Sequence, residues 1–425
     1  MLDFDGGLQF DPSRDAEFFS ALSPLAAICL IEPHDPKAEP YLIKTQDLRR
    51  RLQRLLGPLD PSSKRLNLRD FAKTIHYRAT ASAFEQSLAY YQHAKQLFPK
   101  KYRAMMRLRP PAVLKVNLRN AYPRCYATRR IPVDGDGAPS GGTYYGPFAS
   151  RKSAEAFAES VLDLFKVRRC QIKIRRDPSF PGCIYSEMKM CLAPCFAGCA
   201  KEEYDVEVEK LVQFLETGGD SLRTAYETER EKASQELDFE RASAFHKKLD
   251  KIDEALRGQP ELPRRIQDLN AVILQRASAD QTIAVFPVSG GRLAEPFMLS
   301  FSELAGEPRS AEQLLRQHLE PTGSVIPSEP GSPAGPVLTR WGGEARNLSS
   351  AASPESPADL SEHLWLLARW FYSNPREGEI FFRENGWPYR RMMNACARLL
   401  APPEQSAKEA PGTTPKSAEG EQRPK

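Results

Sequence analysis

Five of the eight cysteines in this 425-residue chain fall within thirty residues: Cys170, Cys183, Cys191, Cys195 and Cys199, separated by twelve, seven, three and three residues. Cys29, Cys125 and Cys396 serve all the rest. Core thiols are not distributed in this way. Soft thiolates at short spacing can converge on zinc or on an iron-sulfur cluster, because two or three sulfurs reach one point from a single turn. The intervening Arg-Arg-Asp-Pro-Ser-Phe-Pro-Gly is a loop by its Pro and Gly content, which lets ligands on either side fold back together. Met1 is followed by Leu-Asp-Phe-Asp-Gly-Gly, without the basic stretch and apolar run of a signal peptide. A reducing, cytoplasmic location is therefore expected, and metal is the expected use of the thiols rather than disulfides.

A second constellation follows. Leu222, Tyr226, Ala233 and Leu237 share one face of a predicted helix, and Ala242, Phe245, Leu249, Ile252 and Leu256 recur at helical spacing along another. Leu237-Asp-Phe-Glu240 is the place for the chain to reverse. Periodicity alone is equally compatible with any antiparallel helix pair in a bundle.

The third is electrostatic. The net charge is only +5, yet between Lys100 and Arg130 there are ten Lys or Arg and no Asp or Glu, interleaved with Tyr102, Tyr122 and Tyr126. That asymmetry points to a polyanion such as DNA, contacted by Lys100, Lys101, Arg103, Arg107 and Arg109. The alternative is a solvated basic face. No apolar run approaches the length of a membrane span, so no membrane partner is expected. The histidines are scattered, and hydrolase-triad, P-loop and Rossmann signatures are absent.

These features need elements to carry them. Ala26-Ala-Ile-Cys-Leu-Ile31 is a short buried strand and Tyr41-Leu-Ile-Lys44 a second, followed by a helix bearing Arg49, Arg50, Arg51 and Arg54 and by another over about Ala81 to Phe98. Strands are predicted over Ala112–Leu118 and Arg124–Ile131, then a Tyr-Gly-Pro turn and an amphipathic helix capped by Ser150. Beyond the helical pair, three strands over 268–275, 281–288 and 291–300 form a meander that reads as a satellite. Trp365, Trp370, Phe371, Phe381 and Phe382 in the last segment are read as core in preference to base-stacking residues.

Tyr144-Tyr-Gly-Pro-Phe148, the helix ending in Leu164-Phe-Lys-Val-Arg-Arg-Cys170, Cys183-x7-Cys191-x-Ala-Pro-Cys195, and Ala233-x3-Leu237-x-Phe239-Glu240-x-Ala242 together resemble the middle of the UvrC/Cho-like excinuclease family of bacterial nucleotide excision repair. The resemblance implies Cys170, Cys183, Cys191 and Cys195 as ligands of a 4Fe-4S cluster, with zinc as the alternative and Cys199 a spare. It also implies that Leu237, Phe239, Glu240 and Ala242 dock on a UvrB-like partner. The first hundred residues resemble the family's GIY-YIG nuclease domain in degenerate form. Tyr41, Lys44 and Arg51 fit its motif, while Ile43 replaces a Gly and Cys29 the first Tyr. Aligning Lys95-Gln-Leu-Phe-Pro99 places Tyr90 on the metal-binding Glu, which makes a catalytic Mg²⁺ doubtful. No Asp-Asp-His set for the family's second nuclease is found.

The expected architecture is α+β and multidomain. Residues 1–22 form a leader, 23–109 a degenerate GIY-YIG-like domain, 110–203 a strand pair with the Cys-rich module, and 204–258 a helical region ending in the hairpin. Residues 264–322 form the meander, 323–360 a flexible insert, 361–400 a helical segment and 401–425 a disordered tail. The expected function is DNA and UvrB binding in excision repair with impaired or absent incision. The alternatives are a working endonuclease and, more weakly, a redox sensor built on the cluster.

Overall fold

The structure, a computed structural model, describes residues 4–320 apart from 59–61, 63, 136, 258, 260 and 305–309, together with residues 359–401. The insert expected over 323–360 and the tail over 401–425 lie outside the described residues except for 359, 360 and 401.

The chain is a mixture of helices with three antiparallel sheets. In the first, the strands run in the order Gly6–Gln9, Ala72–Ala79, Ala27–Pro33, Tyr41–Thr45. Side chains alternate faces along a strand. Accordingly Ile28 and Leu30 join Phe84, Leu88 and Ala94 of the helix Ala83–Leu97, whereas Cys29 and Ile31 join Leu48, Leu52 and Leu56 of the helix Leu48–Leu56. Burial on both faces explains the unbroken apolar run of the Ala27–Pro33 strand. Both helices start at side-chain caps: Asp47 accepts the Arg50 N–H, and Ser82 accepts that of Glu85.

Residues 1–22 were expected as a leader, but Gly6–Gln9 adds an edge strand and Asp15–Ala21 is a helix. The strand Ala72–Ala79 was not foreseen either. Its polar residues, Lys73, Thr74, His76 and Arg78, mask a segment that pairs with strands on both sides.

The second sheet has the order Cys125–Thr128, Ala112–Val116, Thr143–Phe148, Arg264–Arg265. The Tyr-Gly-Pro stretch, expected as a turn, is an interior strand with every residue buried. Gly146 fits there because a Cβ would lie 2.9 Å from Val113 Cγ1 and 3.3 Å from the Ala112 carbonyl. The helix Arg151–Leu162 packs Ala154, Ala158, Val161 and Leu162 into the same core as Tyr204, Val208, Leu211 and Phe214 of the helix Lys201–Glu216. Leu222, Leu249 and Ile252, from the base of the pair Asp220–Gln235 and Phe239–Leu256, complete it.

The third sheet joins Ala271–Arg276, Thr282–Ser289, Arg292–Leu293 and Phe297–Ser300 to an unforeseen strand, Glu379–Phe382. One face is covered by the helices Ala311–Leu319 and Tyr389–Leu400. The other shares a single core with the helices Ala83–Leu97 and Asp359–Phe371, in which Phe84 meets Phe286 and Trp370. The meander is therefore no satellite: it is fused to the N-terminal sheet through these two helices. Glu362 fastens the junction, accepting from Tyr91 Oη at 2.7 Å, Tyr102 Oη at 2.9 Å and Arg103 Nε at 2.7 Å.

Candidate functional site

The strand Tyr41–Thr45, the helix Leu48–Leu56 and the helix Ala83–Leu97 bring Tyr41, Lys44, Arg51 and Tyr90 to one cavity of about 380 Å³. Ile43 lines it too, so five of the six positions that the motif singled out meet in space. Lys44 Nζ lies 3.4 Å from Ser87 Oγ and 5.8 Å from the centre of the Tyr90 ring. Desolvation holds its pKa below the ordinary lysine range, and the nearby Arg369 guanidinium adds to that. Desolvation likewise raises the Tyr90 phenol, with Tyr41 contributing. Arg51 Nε is buried without a hydrogen-bond partner.

The same cavity is lined by Arg107, from the end of the short helix Tyr102–Met106, and by Trp365 and Arg369 from the helix Asp359–Phe371. None of the described residues lining it is acidic. Glu85, the acidic residue nearest Tyr90 in the sequence, is buried at the helix start and accepts the Ala81 N–H at 2.8 Å. Burial raises its pKa. Cys29 does not reach the cavity: it is fully buried in the opposite core layer, where desolvation pushes its thiol up to about 12.

Of the five basic residues assigned to DNA, Lys101 pairs with Glu39 and Arg103 with Glu362. Lys100, Arg107 and Arg109 are exposed and form no ion pair among the described residues.

Cys170, Cys183, Cys191 and Cys195 line one small cavity of about 10 Å³, with Arg168 and Arg169 in its wall. The buried Arg168 guanidinium donates to the Tyr122 carbonyl at 2.8 Å and stands 3.9 Å from Cys170 Sγ, and the Ala193 N–H points at Cys191 Sγ at 3.4 Å. Desolvation, then the neighbouring thiols, push Cys191 up to about 11. Cys199 lies outside this cavity, in the core beside Tyr204. As the side chains lie, no three His, Cys, Asp or Glu among the described residues are arranged to hold a metal ion. The gathered space matches one water or ion, so a larger guest would have to widen it.

At the tip of the hairpin, Leu237 takes a positive φ of 58° and is 71% exposed, while Phe239 is 70% exposed. Leu237 was expected on the packed face of the first helix. That helix ends at Gln235, and the left-handed residue swings its side chain into solvent. Glu240 is exposed beside Phe239 and Ala242 is half-buried.

Sequence reading missed Trp365 and Arg369 as site residues. Their spacing places them on one helix face, and Arg369 Cζ lies 5.2 Å from the Trp365 ring centre. What could not be read locally was which element that face meets.

Residues 112–214 match the family model for the UvrC/Cho excinuclease middle domain. The UvrABC system protein C of Ruminiclostridium cellulolyticum is 28% identical over 263 residues, covering 60% of this chain and 42% of that protein. Its counterpart in Chlamydia caviae is 34% identical over 166 residues, 38% of this chain and 27% of the relative, and that of Chlamydia muridarum is 29% identical over 234, covering 53% and 38%. No solved structure matches. Residues 112–214 thus resemble the middle domain of the UvrC/Cho excinucleases, and the stretches around them are similar to UvrABC system protein C. The chain spans well under half the length of these relatives. Among the described residues, no helix is long and apolar enough to cross a membrane.

Proposed function

We propose that this chain serves nucleotide excision repair by binding DNA and a UvrB-like partner, with incision at the GIY-YIG-like cavity impaired or absent. The observation that carries this reading is the make-up of that cavity: Tyr41, Lys44, Arg51, Arg107 and Arg369 offer hydroxyl and cationic groups to a phosphate, none of the described lining residues is acidic, and the resemblance puts Tyr90 at the position of the metal-holding carboxylate. Phosphodiester cleavage of this kind needs a metal ion to neutralise developing charge and to activate the nucleophile. Cations without that ion bind a phosphate in the ground state and transition state alike, which favours retention over cleavage. The convergence of Tyr41, Lys44 and Arg51 favours a second reading, a working nuclease that takes its carboxylate from elsewhere.

Cys170, Cys183, Cys191 and Cys195 are the residues that would hold an iron-sulfur cluster, or zinc, in the adjoining module. Bound there, the group would tie Cys170 to the short helix Ile184–Glu187, whose N-cap is Cys183, and to the turn Pro194–Phe196, while Arg168 and the Ala193 N–H would stabilise thiolate charge. The exposed tip residues Leu237 and Phe239, with Glu240 and Ala242 behind them, are the surface offered to the partner.

The DNA half of the proposal is tested by titrating labelled duplex with the protein at several salt concentrations. Affinity is expected to fall steeply with salt, and the double variant Arg107→Ala, Arg109→Ala to flatten the log-log slope by about one to two units. A slope unchanged by the substitutions would remove those cations from the interface.

A further inference from the structure

The cavity at Tyr90 is one of four that meet along the helix Asp359–Phe371. Trp365 lines it, a second cavity of about 420 Å³ beside Arg109 and Ile131, and a third of about 380 Å³ beside Arg129 and Phe148. Arg369 lines the first and third, and a fourth of about 290 Å³ between Lys44 and Phe84. Neighbouring cavities share wall residues, among them Lys44, Arg109, Trp365 and Arg369, so the four lie side by side along the helix Asp359–Phe371 as the compartments of one trough facing the two N-terminal sheets. Each compartment is near the size that a small ligand or one nucleotide fills.

The trough is chemically one-sided. Lys44, Arg51, Arg107, Arg109, Arg129 and Arg369 line it, and among the described residues none of them forms an ion pair. Its two carboxylates are already used: Glu362 by Tyr91, Tyr102 and Arg103, and Glu377 by the Ala83 N–H at 2.9 Å. Arg51 Nε, buried and unpartnered, needs an acceptor that the protein does not supply. Trp365 is only half-buried, unlike Trp370 one turn on, so part of its ring faces the trough.

We propose that this trough is a binding site for single-stranded DNA, with phosphates on the Lys44, Arg51, Arg107 and Arg369 cations and an unpaired base stacked on Trp365. Unpaired bases can enter compartments of this size and present a face to an aromatic ring, whereas a duplex keeps its bases stacked on each other. The proposal rests on the DNA-binding reading above but adds a strand state and a set of residues. It also gives the helix Asp359–Phe371 a function: it extends a nuclease-like cavity into a longer trough.

The test uses the full chain and a fluorescein-labelled thymidine oligomer of about twenty nucleotides, long enough for the footprints of such sites, against a duplex of the same length. Trp365→Ala is expected to weaken the single strand by about tenfold or more while leaving duplex affinity within about twofold. Trp365→Phe keeps most of the affinity but reduces the binding-linked quenching of tryptophan emission, Trp370 being the tryptophan left in the trough wall. Because Arg369 is exposed, Arg369→Glu leaves the core intact and is expected to weaken the single strand comparably, which keeps the test decisive if Trp365→Ala fails to fold. Equal loss for single strand and duplex in Trp365→Ala, or no loss of single-strand affinity in Arg369→Glu, overturns the trough while leaving duplex binding standing. Failure of the wild type to bind either form overturns the DNA reading as well. Tighter binding of a uridine RNA of the same length would reassign the trough to RNA.

Discussion

Tyr90 and the four cavity cysteines show how far single residues fix chemistry. A phenol in a desolvated site with a raised pKa gives up its proton less readily than a carboxyl group, so it is a poorer ligand for a divalent ion. Cys29, by contrast, matters only for packing: a tyrosine there would push into a filled layer and cost about 1–3 kcal/mol. For the cysteines the expectation is compositional. Anaerobically purified protein should contain iron and sulfide, and Cys183→Ser or Cys191→Ser should lose both and lower the melting temperature, whereas Cys199→Ser should retain the metal. One equivalent of zinc in place of iron would match the small cavity and favour the alternative cage. Metal-free protein that stays fully folded would defeat both. The cysteine cavity was legible because the spacing is local. Trp365 was read as core because nothing in its own neighbourhood says that it borders a cavity lined by residues three hundred positions earlier.

Among the elements, the helical pair was the most readable, since its apolar spacing survives into the structure at Leu222, Ala233, Leu249 and Ile252. Its tip was half legible. Phe239 was expected to be exposed, but Leu237 joins it only because the chain takes a left-handed conformation there. Asp238 caps the second helix by accepting the Arg241 N–H, so the turn is held without either apolar side chain. Phe239→Ala should therefore leave helicity and melting unchanged while weakening the UvrB-like partner by about 2–4 kcal/mol, measured by calorimetry; Leu237→Ala should act in the same direction. Unfolding of the pair in Phe239→Ala would mean the ring is core. The strand Thr143–Phe148 shows the opposite case. Its Gly and Pro suggest a turn, yet the small Gly146 is what permits close approach to Val113, a tertiary requirement that no local propensity encodes.

At the scale of the whole molecule, the chain differs most from its sequence-level outline in being joined end to end. The α+β content was legible, but the modules were expected to be separate, and the long-range pairings that fuse them, Glu362 with Tyr91 and Tyr102 above all, leave no periodic trace. His363, beside that junction, accepts the Leu293 N–H at 3.2 Å and is pushed down to about 4 by burial. Its folded pKa lies below the ordinary 6.5, so the unfolded chain binds the extra proton between these values. The stability it contributes is present above pH 6.5 and lost as pH falls toward 4, by about 3 kcal/mol at most. His363→Asn, which keeps an acceptor but does not titrate, should show a shallower fall of denaturation midpoint across that window; identical pH profiles would place the ring in contact with solvent.

Incision tests the central claim most directly. A lesion-bearing duplex, incubated with the purified chain, UvrA, UvrB and Mg²⁺ or Mn²⁺, should show no cleavage above background with the wild type, because losing a metal-holding group removes several kcal/mol of transition-state stabilisation, roughly thousands-fold in rate. Tyr90→Glu, which places a carboxylate among Tyr41, Lys44 and Arg51, should gain weak Mn²⁺-dependent nicking. Robust cutting by the unaltered protein, abolished by Lys44→Ala or Arg51→Ala, would contradict the account and make this chain a working nuclease.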